Sequence, residues 1–166
     1  MQPLRNGSLI AATVGVGLMA GIYFAFACSV MPGLRATDDR TFVAAMRSIN
    51  TAILNGWFFL AFLGALALTG LAGAVQLGSG QRPALPWIVA AFVLYGLTIL
   101  TTGAVNVPLN EGLAAAGEPG RAADLAAARD RFEATWVRWN LIRTAACVAA
   151  FGCLTWALLL QARGRG

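Results

Sequence analysis

The segment at positions 136–147, WVRWNLIRTAAC, combines side chains that could bind an oxygen-bearing ligand. Trp136, Asn140 and Arg143 follow the spacing that places residues on one face of an α-helix, and Trp139 shares that face. An asparagine amide both donates and accepts hydrogen bonds, whereas the arginine guanidinium only donates them and stays charged. Such a face can stabilise a negatively charged ligand oxygen by charge-assisted hydrogen bonds.

A second polar face lies in the preceding apolar segment, and four of its side chains recur at helical spacing: Tyr95, Thr98, Thr102 and Asn106. Polar groups in an otherwise apolar helix turn toward the interior of a bundle or toward a water-filled cavity. We therefore expect the two polar faces to lie opposite each other. In this arrangement Arg143, Asn140 and Asn106 are the candidate catalytic residues.

Further polar residues are expected near the same end of these helices. The predicted ligand-binding residues are Ser29, Asn50, Tyr95, Thr102, Asn110, Glu111, Trp136 and Trp139. A buried arginine needs a carboxylate or an anionic ligand, because an unpaired charge inside a membrane is costly. The sequence leaves that partner open among Glu111, Asp38, Asp39, Asp130 and Glu133.

The elements that position these residues are predicted from composition. Of the 166 residues 58% are hydrophobic and only 11% are charged, whereas soluble domains contain about 25% charged residues. Four stretches approach the roughly 20 apolar residues that cross a bilayer: 9–31, 49–77, 85–107 and 134–160. The sequence predicts an all-α integral membrane four-helix bundle, formed as one domain over residues 1–166. A short interfacial helix, capped by Thr37 or Asp38, is expected between the first two spans.

Several kinds of site and partner are disfavoured. The chain has no histidine, and Cys28, Cys147 and Cys153 lack a CxxC spacing, so no metal site and no cofactor are expected. The net charge of +5 comes from scattered arginines, which does not indicate nucleic-acid binding. We expect membrane lipids and a hydrophobic small molecule as partners, and the sequence leaves a homo-oligomer open. The composition, rich in alanine, glycine and arginine, favours a bacterial inner (cytoplasmic) membrane.

Two interpretations of the polar faces remain open. The amides and Arg143 could tie the helices together, since interhelical hydrogen bonds contribute about 0.6–2 kcal/mol each in membranes. Alternatively they line a small-molecule pocket at the loop-side end of the bundle. We favour the pocket, because amides, aromatic rings and one guanidinium suit a flat, oxygenated ligand better than an ion path.

Four motifs, FACSVMPGL, TFVAAMRSIN, NVPLN and WVRWNLIRT, occur in this order along the chain. Over residues 21–150 the sequence resembles the DUF1772, or anthrone oxygenase-like, family of small four-span membrane proteins. The resemblance implies oxidation of anthrones to anthraquinones by molecular oxygen, without a recognised metal or flavin. It singles out the motif positions Ser29, Pro32, Asn50, Asn106, Pro108, Asn110, Trp136, Asn140 and Arg143.

The proton acceptor that such a reaction needs cannot be a histidine in this chain. Glu111, or an acid of the first loop, is the candidate base if burial raises its pKa. The alternative function is a non-catalytic membrane subunit or a lipid- or quinone-binding module. A transporter is less well supported, because no relay of ionisable residues runs through both leaflets.

Overall fold

The computed structural model describes residues 2–78, 83–116 and 122–163, and these residues form helices and short turns without a strand. Five helices follow one another along the described part of the chain: α1 (Gln2–Arg35), α2 (Asp39–Ala52), α3 (Gly56–Leu77), α4 (Leu85–Ala115) and α5 (Ala122–Arg163). Helices α1, α3, α4 and α5 are each long and apolar enough to cross a bilayer. The predicted all-α membrane four-helix bundle is confirmed.

The four long helices pack around an apolar core. Helix α1 packs against α3 and α5, and α4 packs against α5 and α3. Small residues allow the helix backbones to approach closely, and Gly15 of α1 lies against Ala65 of α3. The outer faces carry exposed apolar side chains such as Leu18, Leu60 and Leu100, as expected of surfaces that contact lipid.

Helix α2 lies in the segment where the interfacial helix is predicted. Its N-cap is Asp38, whose carboxylate accepts hydrogen bonds from the backbone N–H and the hydroxyl of Thr41. The placement of α2 at the membrane surface stays a prediction. A second cap, Asn55, starts α3 at Gly56, so the second long apolar helix begins later than Ile49.

Both α1 and α4 contain a π-helical turn, and in each case a proline follows after one further residue. The π turns span Phe26–Val30 and Thr102–Asn106, and the prolines are Pro32 and Pro108. A proline cannot donate to the helical ladder, and its ring clashes with the carbonyl four residues earlier. The wider π turn accommodates the proline, so α1 continues to Arg35 instead of ending at residue 31.

Candidate ligand-binding site

A cavity of about 390 Å³ lies at the end of the bundle that contains α2 and both π turns. Its volume lies within the roughly 300–1,000 Å³ of small-molecule pockets. The walls are apolar and aromatic, with a few polar groups, as in most such pockets. The apolar and aromatic residues of the lining include Ile22, Phe26, Ile49, Ile53, Leu54, Phe58, Phe59, Phe62, Val107, Ala114 and Trp136.

Arg143 is the central charged group of this cavity and is only 4% exposed. Its Nη1 donates to Thr102 Oγ1 at 3.1 Å, and its Nη2 donates to Asn140 Oδ1 at 3.1 Å. The guanidinium also lies over two aromatic rings, 4.5 Å from the centroid of Tyr23 and 5.5 Å from that of Trp136. All of these partners are uncharged, so the cavity keeps a net positive charge at this point.

The π turn of α1 is tied to α5 by Asn140. The Asn140 Nδ2 donates to the backbone carbonyl of Tyr23 at 3.0 Å, three residues before the π turn begins. Because the Asn140 Oδ1 accepts from Arg143, this amide fixes both the guanidinium and the α1 backbone. Asn140 is 1% exposed, so both of its hydrogen bonds are shielded from solvent.

The π turn of α4 is tied to α5 by two further amides. The Asn106 Nδ2 donates to the Trp136 carbonyl at 3.5 Å, and the Trp136 Nε1 donates to Asn110 Oδ1 at 2.9 Å. Deeper in the bundle, the Cys147 thiol donates to Thr98 Oγ1 at 3.7 Å. The prediction that the polar faces of α4 and α5 lie opposite each other is confirmed by these contacts.

Three buried polar atoms of the cavity have no hydrogen-bond partner among the described residues. They are the hydroxyl oxygen of Tyr23, Oδ1 of Asn106 and Nε of Arg143. Leaving a buried donor or acceptor unpaired costs roughly 1–3 kcal/mol. Three such atoms leave unused hydrogen-bonding capacity around one cavity.

The expectation that a carboxylate of α5 or of the first loop pairs with Arg143 is wrong for Asp39 and Glu133. Arg129 binds both of these acids, at 3.0 Å and 2.8 Å, and Arg35 also binds Glu133 at 2.8 Å. Within the described part of the chain no carboxylate lies within 4.0 Å of the Arg143 guanidinium. The reason is position along the helix, since Arg129 lies nearly four turns before Arg143 and faces the loops.

The structure brings eight of the predicted site residues to the cavity: Asn50, Thr102, Asn106, Asn110, Glu111, Trp136, Asn140 and Arg143. Three others do not line it. Ser29 is exposed on the π turn of α1, and Trp139 is half-buried beside the cavity-facing side of α5. Tyr95 lies about two turns below Thr102, and its hydroxyl donates to the Phe62 carbonyl at 2.8 Å.

Helices α1 and α3 also contribute aromatic residues to the cavity that were not predicted from the sequence, among them Tyr23, Phe26, Phe58 and Phe62. A signal for Tyr23 was present, because a tyrosine in an apolar span needs a partner for its hydroxyl. The phenylalanines gave no signal, since they also suit a lipid-facing or core position. Within the described residues no three His, Cys, Asp or Glu side chains are grouped as metal ligands.

The fold and the cavity define an α-helical integral membrane protein with an apolar, aromatic-walled cavity that contains a few polar groups at one end of its spans. A family model described as anthrone oxygenase matches residues 57–153, which is more than half of the chain, and the chain belongs to this family. The match includes Asn106, Trp136, Asn140 and Arg143. No curated protein and no solved structure matches the chain.

Proposed function

We propose that the cavity binds a planar, hydroxylated polycyclic compound and that the protein oxidises an activated methylene of this ligand with molecular oxygen. The observation that carries the proposal is the Arg143 guanidinium, which is buried in an aromatic-walled cavity without a carboxylate within 4.0 Å among the described residues. A buried charge without a counter-ion is costly, and an anionic ligand would remove this cost. The family description supports the same class of reaction.

Arg143 would stabilise the anion that forms when the ligand loses a proton. The hydrogen bonds to Thr102 and Asn140 hold the guanidinium in place before the ligand arrives. Donors that are already oriented, in a site from which water is excluded, stabilise a developing negative charge far better than water does. Trp136 and the Phe58–Phe62 pair supply flat apolar surfaces on which the rings of the ligand would pack.

The proposed reaction balances without a further reactant. Removal of a proton from the methylene carbon of an anthrone gives a delocalised anion whose charge lies largely on the former carbonyl oxygen. Electron transfer to O2, formation of a C–O bond and return of a proton give a hydroperoxide. Loss of water from this hydroperoxide breaks the O–O bond and leaves a second carbonyl, so anthrone and O2 become anthraquinone and water.

Glu111 is the proposed proton acceptor, as the one carboxylate among the described residues that line the cavity. It lies on α4 one turn after the π turn and is exposed at the rim of the cavity, so the burial that the sequence analysis required of the base is not observed. From this position a proton taken from the ligand can pass to water. A carboxylate is a weaker base than histidine, and the reaction therefore depends on an acidic methylene, such as that of an anthrone.

The same rim suggests how an apolar ligand reaches the cavity. Leu54 just before α3, Phe59 on α3 and Val107 on α4 line the cavity and are also exposed, so apolar side chains lie between the cavity and the lipid-facing surface. The half of α4 that follows its π turn packs on α5 and α2. A polycyclic phenol dissolved in the bilayer could enter here without crossing water.

A second candidate function is a binding module for a quinone or a lipid that carries out no chemistry. The exposure of Glu111 favours it, because the deep part of the cavity near Arg143 contains no carboxylate among the described residues. Such a protein would hold the anionic or carbonyl oxygen of its ligand at Arg143 and would leave the ligand unchanged.

The test uses vesicles that contain the purified protein and 1,8-dihydroxyanthrone. Oxygen uptake and the absorbance of the anthraquinone are measured against protein-free vesicles, which report spontaneous oxidation. We expect faster oxidation with the wild type, and loss of this increment in Arg143→Met and in Glu111→Gln. The matched control is Arg138→Met, which removes an exposed arginine of the same helix outside the cavity lining.

Three results are informative. Oxidation above the background that depends on Arg143 and Glu111 supports the oxygenase. Saturable binding of 1,8-dihydroxyanthraquinone without faster oxygen uptake supports the binding module and overturns the oxygenase. Absence of both binding and oxidation overturns the assignment of the cavity as the ligand site.

A further inference from the structure

Tyr23 is a cavity residue whose hydroxyl has no evident function in the folded protein alone. Its side chain is 5% exposed and lines the cavity. The hydroxyl faces the Thr102 hydroxyl and the Arg143 guanidinium but forms no well-aligned hydrogen bond with either. Buried tyrosine hydroxyls normally have a partner, so this one requires an explanation.

Tyr95 provides an internal comparison. It is also a buried tyrosine of the bundle, 0% exposed, and its hydroxyl donates to the Phe62 carbonyl at 2.8 Å. Tyr95 does not line the cavity, whereas Tyr23 does. The two residues therefore differ in one respect: the hydroxyl of Tyr95 is hydrogen-bonded to the protein, whereas the hydroxyl of Tyr23 has no partner among the described residues and belongs to a side chain that lines the cavity.

The neighbourhood of Tyr23 is fixed on two sides. Its backbone carbonyl accepts from Asn140, and its ring lies under the Arg143 guanidinium at 4.5 Å. Since Nη1 and Nη2 of Arg143 each hold a protein partner, Nε is the nitrogen that stays unpaired, together with the Tyr23 hydroxyl. Two unpaired donors of adjacent side chains thus border one cavity.

We propose that Tyr23 is a ligand-binding residue that donates its O–H to the same ligand oxygen that accepts from Nε of Arg143. This inference rests on the proposed binding of an oxygenated ligand in the cavity. A neutral tyrosine and a charged arginine form a two-donor site for a carbonyl, enolate or phenolate oxygen. The oxygen that gains negative charge during deprotonation is thereby held at a defined point, with the rings of the ligand directed toward α3.

The experiment compares Tyr23→Phe with Tyr95→Phe, each of which removes only a hydroxyl and keeps the ring. Full-length protein in detergent micelles is titrated with 1,8-dihydroxyanthraquinone, and thermal unfolding is recorded without ligand. For Tyr23→Phe we expect the Kd to rise about tenfold, as for the loss of one hydrogen bond to a ligand, with an unchanged or higher Tm. For Tyr95→Phe we expect a lower Tm and an unchanged Kd.

The outcomes separate this inference from the one on which it rests. If wild-type protein does not bind the anthraquinone, the proposed function is overturned and this inference with it. If the wild type binds and Tyr23→Phe binds equally well, only the role of Tyr23 is overturned. A Tyr23→Phe protein that loses as much stability as Tyr95→Phe, or that does not fold, also overturns it, because the hydroxyl would then have a structural partner.

Discussion

Replacement of Arg143 by methionine separates a ligand anchor from a structural residue. Arg143→Met keeps an unbranched side chain but removes the charge and all the donors. In the absence of ligand, the protein loses hydrogen bonds to Thr102 and Asn140, worth about 0.6–2 kcal/mol each in membranes. The variant also removes the cost of burying the charge, because Arg143 is 4% exposed and has no carboxylate partner among the described residues. This desolvation cost is several kcal/mol.

The two contributions give different predictions for folding and for binding. The variant also loses the cation–π contacts with Tyr23 and Trp136, worth about 0.5–2 kcal/mol each. Because the desolvation cost is of the same size as the sum of the lost contacts, the free energy of unfolding of ligand-free Arg143→Met should stay close to that of the wild type. A charge-assisted hydrogen bond to a ligand is worth about 1.5–3 kcal/mol. The Kd for 1,8-dihydroxyanthraquinone should therefore rise by roughly 10- to 150-fold.

The matched control is Arg129→Met, on the same helix. Arg129 binds the carboxylates of Asp39 and Glu133 and also donates to the carbonyls of Thr37 and Arg35. Removal of this arginine leaves Asp39 and the carbonyls of the α1–α2 connection without this donor, and Glu133 keeps only Arg35 as its described partner. The change should therefore destabilise the protein by about 2 kcal/mol. Binding of the anthraquinone should not change, because Arg129 does not line the cavity.

Thermal unfolding in detergent micelles measures the stability of each variant, and equilibrium titration of the same samples measures the Kd for the anthraquinone. Arg143 is not a ligand anchor if Arg143→Met loses as much stability as Arg129→Met while its Kd stays at the wild-type value. Arg143 would then be a structural tie between helices. Arg143→Lys should restore binding only in part, because an ammonium group cannot present the planar fork of a guanidinium.

Three further predictions concern the bundle and its surroundings. Gly15→Ala should lower the free energy of unfolding by about 1–3 kcal/mol, because a new Cβ would lie 3.0 Å from the Ala65 Cβ. Gly21→Ala, with open space around the new Cβ, should be neutral or stabilising. Equal Tm values for the two variants would contradict this packing. The pKa of Asp38 lies below its ordinary value chiefly because the Thr41 backbone N–H donates to the carboxylate. The ionised Asp38 carboxylate therefore contributes to stability above about pH 3.8, and this contribution is lost as the pH falls below that value. Asp38→Asn should reduce the loss of Tm between about pH 5 and about pH 2, the range in which a carboxyl group titrates. An unchanged dependence of Tm on pH would show that the Asp38 cap is not the source of this loss. Protein purified without an affinity tag should retain its Tm and its activity in the presence of a metal chelator, and a chelator-dependent loss of stability together with stoichiometric metal would contradict the absence of a metal requirement.

The fold could be predicted from composition and length, but the path of the helices near the prolines could not. Apolar runs and their spacing indicate spans because a bilayer demands that length of helix. Pro32 ordinarily marks the end of a helix, and the π turn that carries α1 past it depends on contacts with α5. Such tertiary contacts leave no periodic pattern in the sequence.

The part of the site that lies on one helical face could be predicted from the spacing of its residues. The α5 face with Trp136, Asn140 and Arg143 follows from helical geometry alone, and the structure places all three at the cavity. Whether a tyrosine faces the cavity or a backbone carbonyl depends on its neighbours across the bundle, which is why Tyr95 was selected and Tyr23 was missed. The acids could not be assigned either, because Arg129 competes for them.

The most direct test is an experimental structure of the protein with bound 1,8-dihydroxyanthraquinone. We expect the ring system of the ligand within the cavity beside Trp136, with one of its oxygens about 2.7–3.2 Å from Nε of Arg143. A cavity filled by side chains, a ligand bound elsewhere, or an Arg143 guanidinium turned outward to lipid headgroups would contradict the assignment of this end of the bundle as the ligand site.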